Sequence, residues 1–207
     1  MKMTNSLIIL VVEDDAIVAE DIVLFLEGLG HKVLGPAYNT TDAMRLVMEH
    51  KPQLALLDIH LEGCANGIEF AGWLRSTLPI PIVFLTAYAD KNTLTRAKQL
   101  HPEYYIVKPF NKQQLKAAIE VAAENYYNHN ARLEIERKIF RFNMLLPEPL
   151  SEREIDVVNL LLNGFNNGNI AKKLFLSENT VKSHLKNIFI KTGVQSRTEL
   201  LSQIIHC

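Results

Sequence analysis

The feature that most constrains the fold of this chain is a series of five short segments that are apolar at every position. Longer stretches with the apolar spacing of amphipathic helices separate these segments, which occupy residues 7–12, 33–35, 54–57, 82–85 and 105–107. Strands that are apolar on both faces are typical of a parallel sheet covered by helices on both sides. The pattern therefore predicts five βα units and a doubly wound α/β domain.

A segment of different character follows these units. Residues 125–147 begin with a polar and aromatic stretch, and residues 132–142 fit either an amphipathic helix or a strand. Pro147 and Pro149 interrupt whatever precedes them, because proline lacks an amide donor and restricts the residue before it. A chain of 207 residues is long enough for two small domains. We interpret the chain as a first domain, a linker for which a helix is one option, and a second domain, at residues 1–124, 125–147 and 148–207.

Composition excludes several classes of protein. A hydrophobic content of 48%, with 22 Lys and Arg against 23 Asp and Glu, excludes a disordered chain. The longest apolar run, residues 7–12, is far shorter than the roughly 20 residues of a membrane-spanning helix. The N-terminus shows no secretory cleavage site, so we expect a cytoplasmic protein with no membrane partner. The two cysteines, Cys64 and Cys207, are too few for a disulfide framework or a zinc site.

Polar residues at the ends of the predicted strands indicate the chemistry of the first domain. Ligands of a parallel α/β sheet bind at the carboxyl ends of its strands. Glu13 and Asp14 follow the first strand, Asp58 ends the third, and Thr86 and Lys108 follow the fourth and fifth. Three carboxylates, a hydroxyl and an ammonium therefore meet at one edge of the sheet. This set predicts a site for a metal ion and a phosphoryl group.

The residue types of this set predict a role for each member. Clustered carboxylates repel one another unless a cation neutralises them, and Mg²⁺ prefers hard oxygen ligands. We therefore predict that Glu13, Asp14 and Asp58 bind Mg²⁺. A carboxylate can also attack a phosphoryl group to form an acyl phosphate while cationic and hydroxyl groups stabilise the transferred oxygens. Asp58 is the predicted nucleophile, with Thr86 and Lys108 as the stabilising groups.

Two alternatives remain open for these residues. Taken singly, Asp14 and Asp15 could cap the first helix, and Lys108 could be a solvated loop residue. Taken together, the carboxylates could form a hydrolase site that acts on small phosphoesters. The first alternative applies poorly to a whole set on one sheet edge, and the second is disfavoured by the helical domain described below.

Four motifs in the first domain resemble the receiver domains of two-component response regulators. The motifs are Val-Val-Glu13-Asp14-Asp15, Leu-Leu-Asp58-Ile, Leu-Thr86-Ala87 and Val-Lys108-Pro109-Phe110. The resemblance covers residues 7–124 and implies a flavodoxin-like sheet with the strand order 2-1-3-4-5. It further implies that Asp58 accepts a phosphoryl group from a partner histidine kinase. The protein would then be a phospho-accepting regulator that promotes formation and loss of its own aspartyl phosphate, not an enzyme.

The same resemblance implies further roles around Asp58. Thr86 and Tyr105 would form a switch pair, the hydroxyl turning toward the phosphate and the ring moving inward. The backbone carbonyl of His60 would be a metal ligand, and the side chains of His60 and Tyr88 lie where the family tunes the lifetime of the phosphate. Simple packing stays open as an alternative for Tyr105, because tyrosines at strand ends are often only packed. The loop after Asp58 departs from the family, since it lacks the usual proline and is one residue longer before Gly67.

Residues typical of helix starts and helix ends predict four short helices in the second domain. Two Ser-x-x-Glu sequences, which start at Ser151 and Ser196, have the spacing of capping boxes. Gly164 and Gly193 stand where helices would end in the left-handed conformation. Residues 166–193 fit a helix, a short turn and a longer helix, which is the arrangement that presents a recognition helix to the major groove.

The longer helix carries one apolar stripe and one polar face. The polar face consists of Asn179, Lys182, Ser183 and Lys186. These side chains suit contacts to phosphates and base edges, and Lys172 and Lys173 on the preceding helix are candidate phosphate contacts. The alternative is an ordinary solvated helix face. Residues 147–207 have seven Lys and Arg against six Asp and Glu, so bulk charge gives little support to DNA binding.

Motifs in the second domain resemble the LuxR/NarL-type helix-turn-helix. They include Leu150-Ser151-Glu-Arg153-Glu154, Leu176-Ser177-Glu-Asn-Thr180-Val181-Lys182-Ser-His184 and Lys191-Thr-Gly-Val194. The resemblance implies sequence-specific binding of double-stranded DNA by a homodimer. Lys182, Ser183 and Lys186 would face bases or backbone, and residues 198–205 would form a dimer helix. The chain departs from the family at residues 166–169, where Asn-Asn-Gly-Asn replaces a charged pattern.

The sequence thus leads to one main hypothesis and one alternative from another class. The hypothesis is a response regulator in which phosphorylation of Asp58 controls dimerisation and DNA binding, and thereby transcription. The alternative is a receiver whose helical domain docks a protein partner instead of reading DNA.

Overall fold

The chain folds into two compact units, Met1–Asn128 and His129–Cys207. The structure, a computed structural model, describes residues 6–61, 66–87 and 91–207, and it describes residues 91–94 for their backbone only. Strands and helices alternate along the first unit. They are β1 (Ile8–Val12), α1 (Ala16–Gly28), β2 (Lys32–Ala37), α2 (Thr40–His50), β3 (Leu54–Asp58), α3 (Gly67–Thr77), β4 (Ile82–Thr86), α4 (Lys91–Gln99), β5 (Tyr104–Val107) and α5 (Lys112–Leu145).

The five strands form one parallel sheet in the order β2-β1-β3-β4-β5, which confirms the predicted fold class. The register of the strands determines which residues meet at the carboxyl edge. Val12 pairs with Leu57, and Thr86 pairs with Val107. The residues that end or follow β1, β3, β4 and β5 are therefore neighbours across the sheet.

The sheet separates two hydrophobic cores. Successive strand residues point to opposite faces, so Ile9 and Val11 pack with α1 and α5, whereas Leu10 and Val12 pack with α2 and α3. Both sets are buried, which explains why the predicted strand segments are apolar at every position. Asp15, Asn39 and Asn66 start α1, α2 and α3, because each side chain accepts a hydrogen bond from a backbone amide of the first turn.

The second unit contains four short helices, as predicted: α6 (Glu152–Leu162), α7 (Asn167–Leu174), α8 (Glu178–Thr192) and α9 (Arg197–Ile205). Ser151 and Glu154 form the predicted capping box at α6. At α9 only half of the predicted box is present, because Ser196 caps the helix while Glu199 accepts from the amide of Gln195. Gly193 ends α8 in the left-handed conformation, with φ 71°.

Helix α5 extends far beyond the end of the sheet domain predicted from the sequence. Leu115 and Ile119 in its first half pack in a core of the sheet unit. Ile139 and Phe142 in its second half pack in the core of the helical unit. The helical option for residues 125–147 is therefore realised as far as Leu145, while domain boundaries at residues 124 and 148 stay a prediction. In the described parts of the chain, no helix is long and apolar enough to cross a membrane.

Candidate functional site

The predicted carboxylates lie together at the carboxyl edge of the sheet. Ligand oxygens of Glu13, Asp14 and Asp58 all lie within 4.8 Å of one another, and we call these three residues the acidic site. Glu13 and Asp58 are buried, and Asp14 is half-buried. The backbone amide of Glu13 donates to the carbonyl of Ala37 at 3.0 Å, which fixes the chain directly after β1.

Lys108 joins two members of the acidic site. Its Nζ lies 2.7 Å from Glu13 Oε1 and 2.5 Å from Asp58 Oδ2, and its side chain is 20% exposed. Its backbone amide donates to the carbonyl of Thr86 at 2.8 Å, so the pairing of β4 with β5 positions the ammonium. The structure thus places Lys108 in the site and not on a solvated loop.

Burial and neighbouring charges shift the pKa values of two groups in the site, Glu13 and Lys108. Burial raises the pKa of the Glu13 carboxyl to about 7, while the hydrogen bond from Lys108 lowers it and the charge of Asp58 raises it. Burial alone would lower the pKa of Lys108, but its hydrogen bonds to Asp58 and Glu13 outweigh this effect and raise that pKa. The ammonium therefore stays charged, and the Glu13 carboxyl holds a proton more readily than an ordinary glutamate.

The donor set fits a hard cation such as Mg²⁺. Glu13 Oε2 is buried, and although it lies 2.6 Å from Lys108 Nζ, it makes no hydrogen bond with any described residue. The Lys108 ammonium compensates only part of the negative charge of the three carboxylates, and the remainder favours a divalent cation with a preference for oxygen ligands. The acidic site offers this oxygen together with ligand oxygens from Asp14 and Asp58.

The loop after Asp58 is held against the strand end. The backbone amide of His60 donates to Asp58 Oδ1 at 2.8 Å, which orients the predicted nucleophile. Gly67 approaches the same strand end so closely that a Cβ atom there would lie 1.9 Å from the carbonyl oxygen of Asp58. Glycine is therefore required at this position. The role of the His60 carbonyl as a metal ligand stays a prediction.

The predicted switch residues occupy defined positions. Thr86 is buried, and its hydroxyl donates to the carbonyl of Ala87 at 2.9 Å. The Tyr105 ring stacks on Phe84 with 5.8 Å between ring centroids, and its buried hydroxyl has no hydrogen-bond partner among the described residues. Burial raises the pKa of Tyr105. Their coupled movement stays a prediction, and Tyr88 lies outside the described residues.

Of the two aspartates that could cap α1, only Asp15 does so. Asp15 Oδ1 accepts from the amides of Ile17 and Val18 at 2.9 and 3.2 Å, so Asp15 is the cap of α1. Asp14 belongs instead to the acidic site. The tandem aspartates thus divide into one structural residue and one candidate ligand.

In the helical unit, all the residues predicted to contact DNA are exposed. The polar face of α8, formed by Asn179, Lys182, Ser183 and Lys186, is here called the recognition face. It lies opposite the buried side chains of Val181 and Ile188 on the same helix. The Ser183 hydroxyl donates to the Asn179 carbonyl at 3.1 Å. The candidate phosphate contacts, Lys172 and Lys173, lie in the last turn of α7.

Lys173 has a second contact that the sequence did not predict. Its Nζ lies 4.6 Å from the centre of the Phe165 ring, a cation–π distance. This contact holds the ammonium near the start of α7, so Lys172 is the freer of the two candidate phosphate contacts. The DNA-contact roles of all six residues stay predictions.

An ion-pair cluster that positions α8 was also missed. Lys191 Nζ, near the end of α8, lies 3.0 Å from Glu154 Oε2 and 3.2 Å from Glu148 Oε1. Glu154 is buried and also closes the capping box of α6. Lys191 and Glu154 are 37 residues apart, and the sequence indicated only the local role of the glutamate. The cluster fixes α8 against α6 and thereby positions the recognition face.

Comparison with known proteins agrees with this arrangement of two sites. A family model for the response regulator receiver domain matches residues 9–120, and a model for the luxR family of bacterial regulatory proteins matches residues 148–203. The chain belongs to the response regulator family. This finding confirms the resemblance seen in the sequence for both parts of the chain.

Individual relatives are similar over different lengths. The transcriptional regulatory protein LnrK of Bacillus subtilis is 30% identical over 207 aligned positions, which cover 92% of this chain and 93% of LnrK. The phyllosphere-induced regulator PhyR of Methylorubrum extorquens is 34% identical over 125 positions, which cover 60% of this chain and only 45% of PhyR. The crystal structure of full-length FixJ from B. japonicum superposes with a TM-score of 0.54 at 25% identity and covers 97% of both chains.

The response regulator is therefore a two-component transcriptional regulator, with a receiver domain followed by a LuxR-type helix-turn-helix. The pair of domains implies a histidine kinase and DNA as partners. The alternative in which the helical domain docks only a protein is not favoured, because the luxR family match covers nearly all of that domain.

Proposed function

We propose that Asp58 accepts a phosphoryl group from a histidine kinase, and that the phosphorylated protein dimerises and binds a specific DNA sequence through α8. The observation that carries this proposal is the position of Asp58. Its carboxylate is buried at the carboxyl edge of the sheet, 2.5 Å from the Lys108 ammonium, beside two further carboxylates. We assign residues 1–124 to the receiver, 125–147 to a linker and 148–207 to the DNA-binding domain, and we place the protein in the cytoplasm, where its DNA partner lies.

Glu13, Asp14 and Asp58 would hold Mg²⁺, with the His60 carbonyl as a further ligand. The bound ion would neutralise charge on the phosphoryl oxygens. Glu13 contributes its buried oxygen only when it has lost its proton, and its pKa of about 7 makes this contribution sensitive to pH near neutrality. The ionisation of Glu13 would therefore determine the charge of the acidic site before a phosphoryl group binds.

The remaining residues would act on Asp58 and on the incoming phosphoryl group. One carboxylate oxygen of Asp58 attacks phosphorus, and the bond from phosphorus to the donor nitrogen breaks. The amide of His60 orients the carboxylate, since it donates to Asp58 Oδ1 at 2.8 Å. The Lys108 ammonium stabilises charge on a phosphoryl oxygen, and the Thr86 hydroxyl leaves the Ala87 carbonyl to do the same. The same groups would assist loss of the phosphoryl group, in which a water oxygen attacks phosphorus, the bond from phosphorus to the Asp58 oxygen breaks, and inorganic phosphate leaves.

The movement of Thr86 would transmit phosphorylation to the surface. Tyr105 lies in β5 and packs on Phe84 of β4, so a shift of β4 at Thr86 would act directly on its ring. The recognition face and Lys172 would then contact bases and phosphates, Lys173 would contribute a phosphate contact when it leaves Phe165, and α9 would pair the two copies. We infer that the switch acts on dimerisation, since two copies supply twice as many DNA contacts as one.

Intact-mass spectrometry tests the acceptor directly. The full chain is incubated with acetyl phosphate in Mg²⁺, and we expect the mass of one added phosphoryl group, mapped to Asp58 by borohydride reduction. Asp58→Asn should show no addition, whereas Asp21→Asn, which changes an exposed aspartate of α1, should behave as the wild type. Addition to Asp58→Asn at the wild-type level would overturn the assignment.

A further inference from the structure

The second half of α5 carries an exposed apolar surface opposite its buried face. Ile135, Ile139 and Phe142 pack in the core of the helical unit. On the other side of the same helix turns lie Leu133, Phe140 and Met144, which we call the α5 stripe. Phe140 and Met144 are 67% and 70% exposed, and Leu133 is half-buried. A solvated helix needs only one apolar face, so a second one indicates a partner.

The spacing of the α5 stripe fits a parallel two-stranded coiled coil. With Leu133 and Phe140 at the d positions of a heptad, the a positions are Asn130, Arg137 and Met144. Leucine at d favours two strands, and a single asparagine at a fixes the register, because each asparagine pairs with its copy in the other helix. This pattern specifies a second copy of the same chain as the occupant.

Charges beside the stripe support the same occupant. In a parallel pair, the g residue of one helix meets the following e residue of the other, which here brings Glu136 to Arg141 of the second copy. Arg137, at an a position, would lie beside Glu136 of the second copy. Among the described residues, neither arginine has an ion-pair partner within its own chain, whereas Glu136 pairs with Arg132 at 3.0 Å in an exposed contact that contributes little. The arginines of one copy would thus add to the partners of the Glu136 carboxylate of the other.

We propose that the α5 stripe is a pairing surface between two copies of this protein, formed by a short parallel coiled coil over residues 130–144. The proposal deepens the proposed function, since it identifies a surface for the dimer that is separate from α9. Asn130 and Arg137 weaken the pairing because they place polar groups at two of three a positions. The contact is therefore weak alone and forms when phosphorylation or DNA brings two copies together.

Sedimentation equilibrium of the full chain tests the pairing, with beryllofluoride and Mg²⁺ as the phosphoryl mimic. Met144→Glu should weaken the dimer at least about tenfold, because it places a charge in the apolar seam. Leu145→Glu is the matched control, since Leu145 is 74% exposed, follows Met144 directly and lies off the stripe. It should leave the dimer unchanged. Equal effects of the two substitutions would overturn the proposal.

Three further variants keep the test decisive. Arg137→Leu should tighten the dimer at least about tenfold, because it replaces a charge at an a position with an apolar side chain. Glu136→Arg should weaken pairing, and Glu136→Arg combined with Arg141→Glu should restore it. If Arg137→Leu fails to tighten the dimer, the α5 stripe is not the surface through which the two copies pair. Phosphorylation of Asp58 by acetyl phosphate, measured on the same variants without beryllofluoride, tests the proposed function separately, because the stripe variants should all be phosphorylated normally.

Discussion

At the scale of single residues, the Lys108 ammonium decides the charge balance of the acidic site. It contacts both Glu13 and Asp58 and is itself mostly buried. Removing one partner from a buried ion pair leaves an uncompensated charge, which costs far more than the pair contributes. Without Lys108, the carboxylates would need a proton or a metal ion to relieve their repulsion.

We therefore expect Lys108→Met to lower the free energy of unfolding of the receiver by about 2–4 kcal/mol in the absence of Mg²⁺. Saturating Mg²⁺ should recover most of this loss, because the ion binds the folded state and replaces the missing cation. The measurement is urea unfolding followed by fluorescence of Trp73, the single tryptophan, with and without Mg²⁺. About pH 8 is the appropriate condition, since Glu13, with its pKa of about 7, is then ionised in the wild type, whereas loss of the Lys108 hydrogen bond raises that pKa in the variant.

The control for this prediction is Lys112→Met. Lys112 lies 3.1 Å from Asp21 in an ion pair whose two side chains are 58% and 65% exposed. Exposed pairs contribute little, so the loss should stay below about 1 kcal/mol and should not respond to Mg²⁺. A loss of equal size in both variants, or no recovery with Mg²⁺, would contradict the account of the acidic site.

The residue types of the site could be predicted from the sequence, but their detailed states could not. The carboxylates, Thr86 and Lys108 end or follow strands of a parallel sheet, so topology alone brings them together. The direction of the Thr86 hydroxyl and the inward packing of Tyr105 depend on side-chain rotation and on neighbours such as Phe84. Such torsions leave no pattern in the sequence.

At the scale of elements, the ion pair between α6 and α8 links the stability of the helical unit to the position of the recognition face. Burial alone would raise the pKa of Glu154, but its hydrogen bonds to Ser151 and Lys191 outweigh this effect and lower that pKa. A carboxyl with a lowered pKa in the folded state stabilises above its unfolded pKa, and this contribution is lost as the pH falls through the folded value. The helical unit should therefore lose stability toward acidic pH.

Glu154→Gln tests this element directly. We expect a lower melting temperature of the helical unit at neutral pH, measured by circular dichroism, and a weaker decrease below about pH 4.5 than in the wild type. Glu152→Gln is the matched control, because Glu152 lies in the same first turn but is exposed. A wild-type acid dependence in Glu154→Gln would show that another group is responsible.

The elements differ in how well the sequence predicted them. Strands β1, β3 and β4 were clear because both faces of each are largely buried. Strand β2 lies at the sheet edge and buries only two of its six residues, so its predicted segment was too short. The length of α5 was missed for another reason. The apolar residues of its first half, such as Leu115 and Ile119, and of its second half, such as Ile139, do not follow one stripe, so no single periodicity covers the helix.

At the scale of the whole molecule, the charge distribution explains why the proposed pairing of two copies would strengthen DNA binding. The chain has a formal net charge of −1, and its helical region has only one more basic than acidic residue. Affinity for DNA depends on the number of phosphates that basic side chains neutralise, and one copy offers few such side chains. Two copies on a two-fold site would double that number. The proposed control of dimerisation would therefore also control DNA binding.

The central claim, phosphorylation-gated DNA recognition, is tested most directly by selection of bound fragments from a sheared library of the source genome. The purified full chain is used with and without beryllofluoride and Mg²⁺, and Asp58→Asn is the control. The account predicts enrichment of a two-fold-related sequence only with beryllofluoride, and loss of this enrichment in Asp58→Asn. Equal enrichment without beryllofluoride would contradict the gate, and no enrichment under any condition would contradict DNA recognition itself.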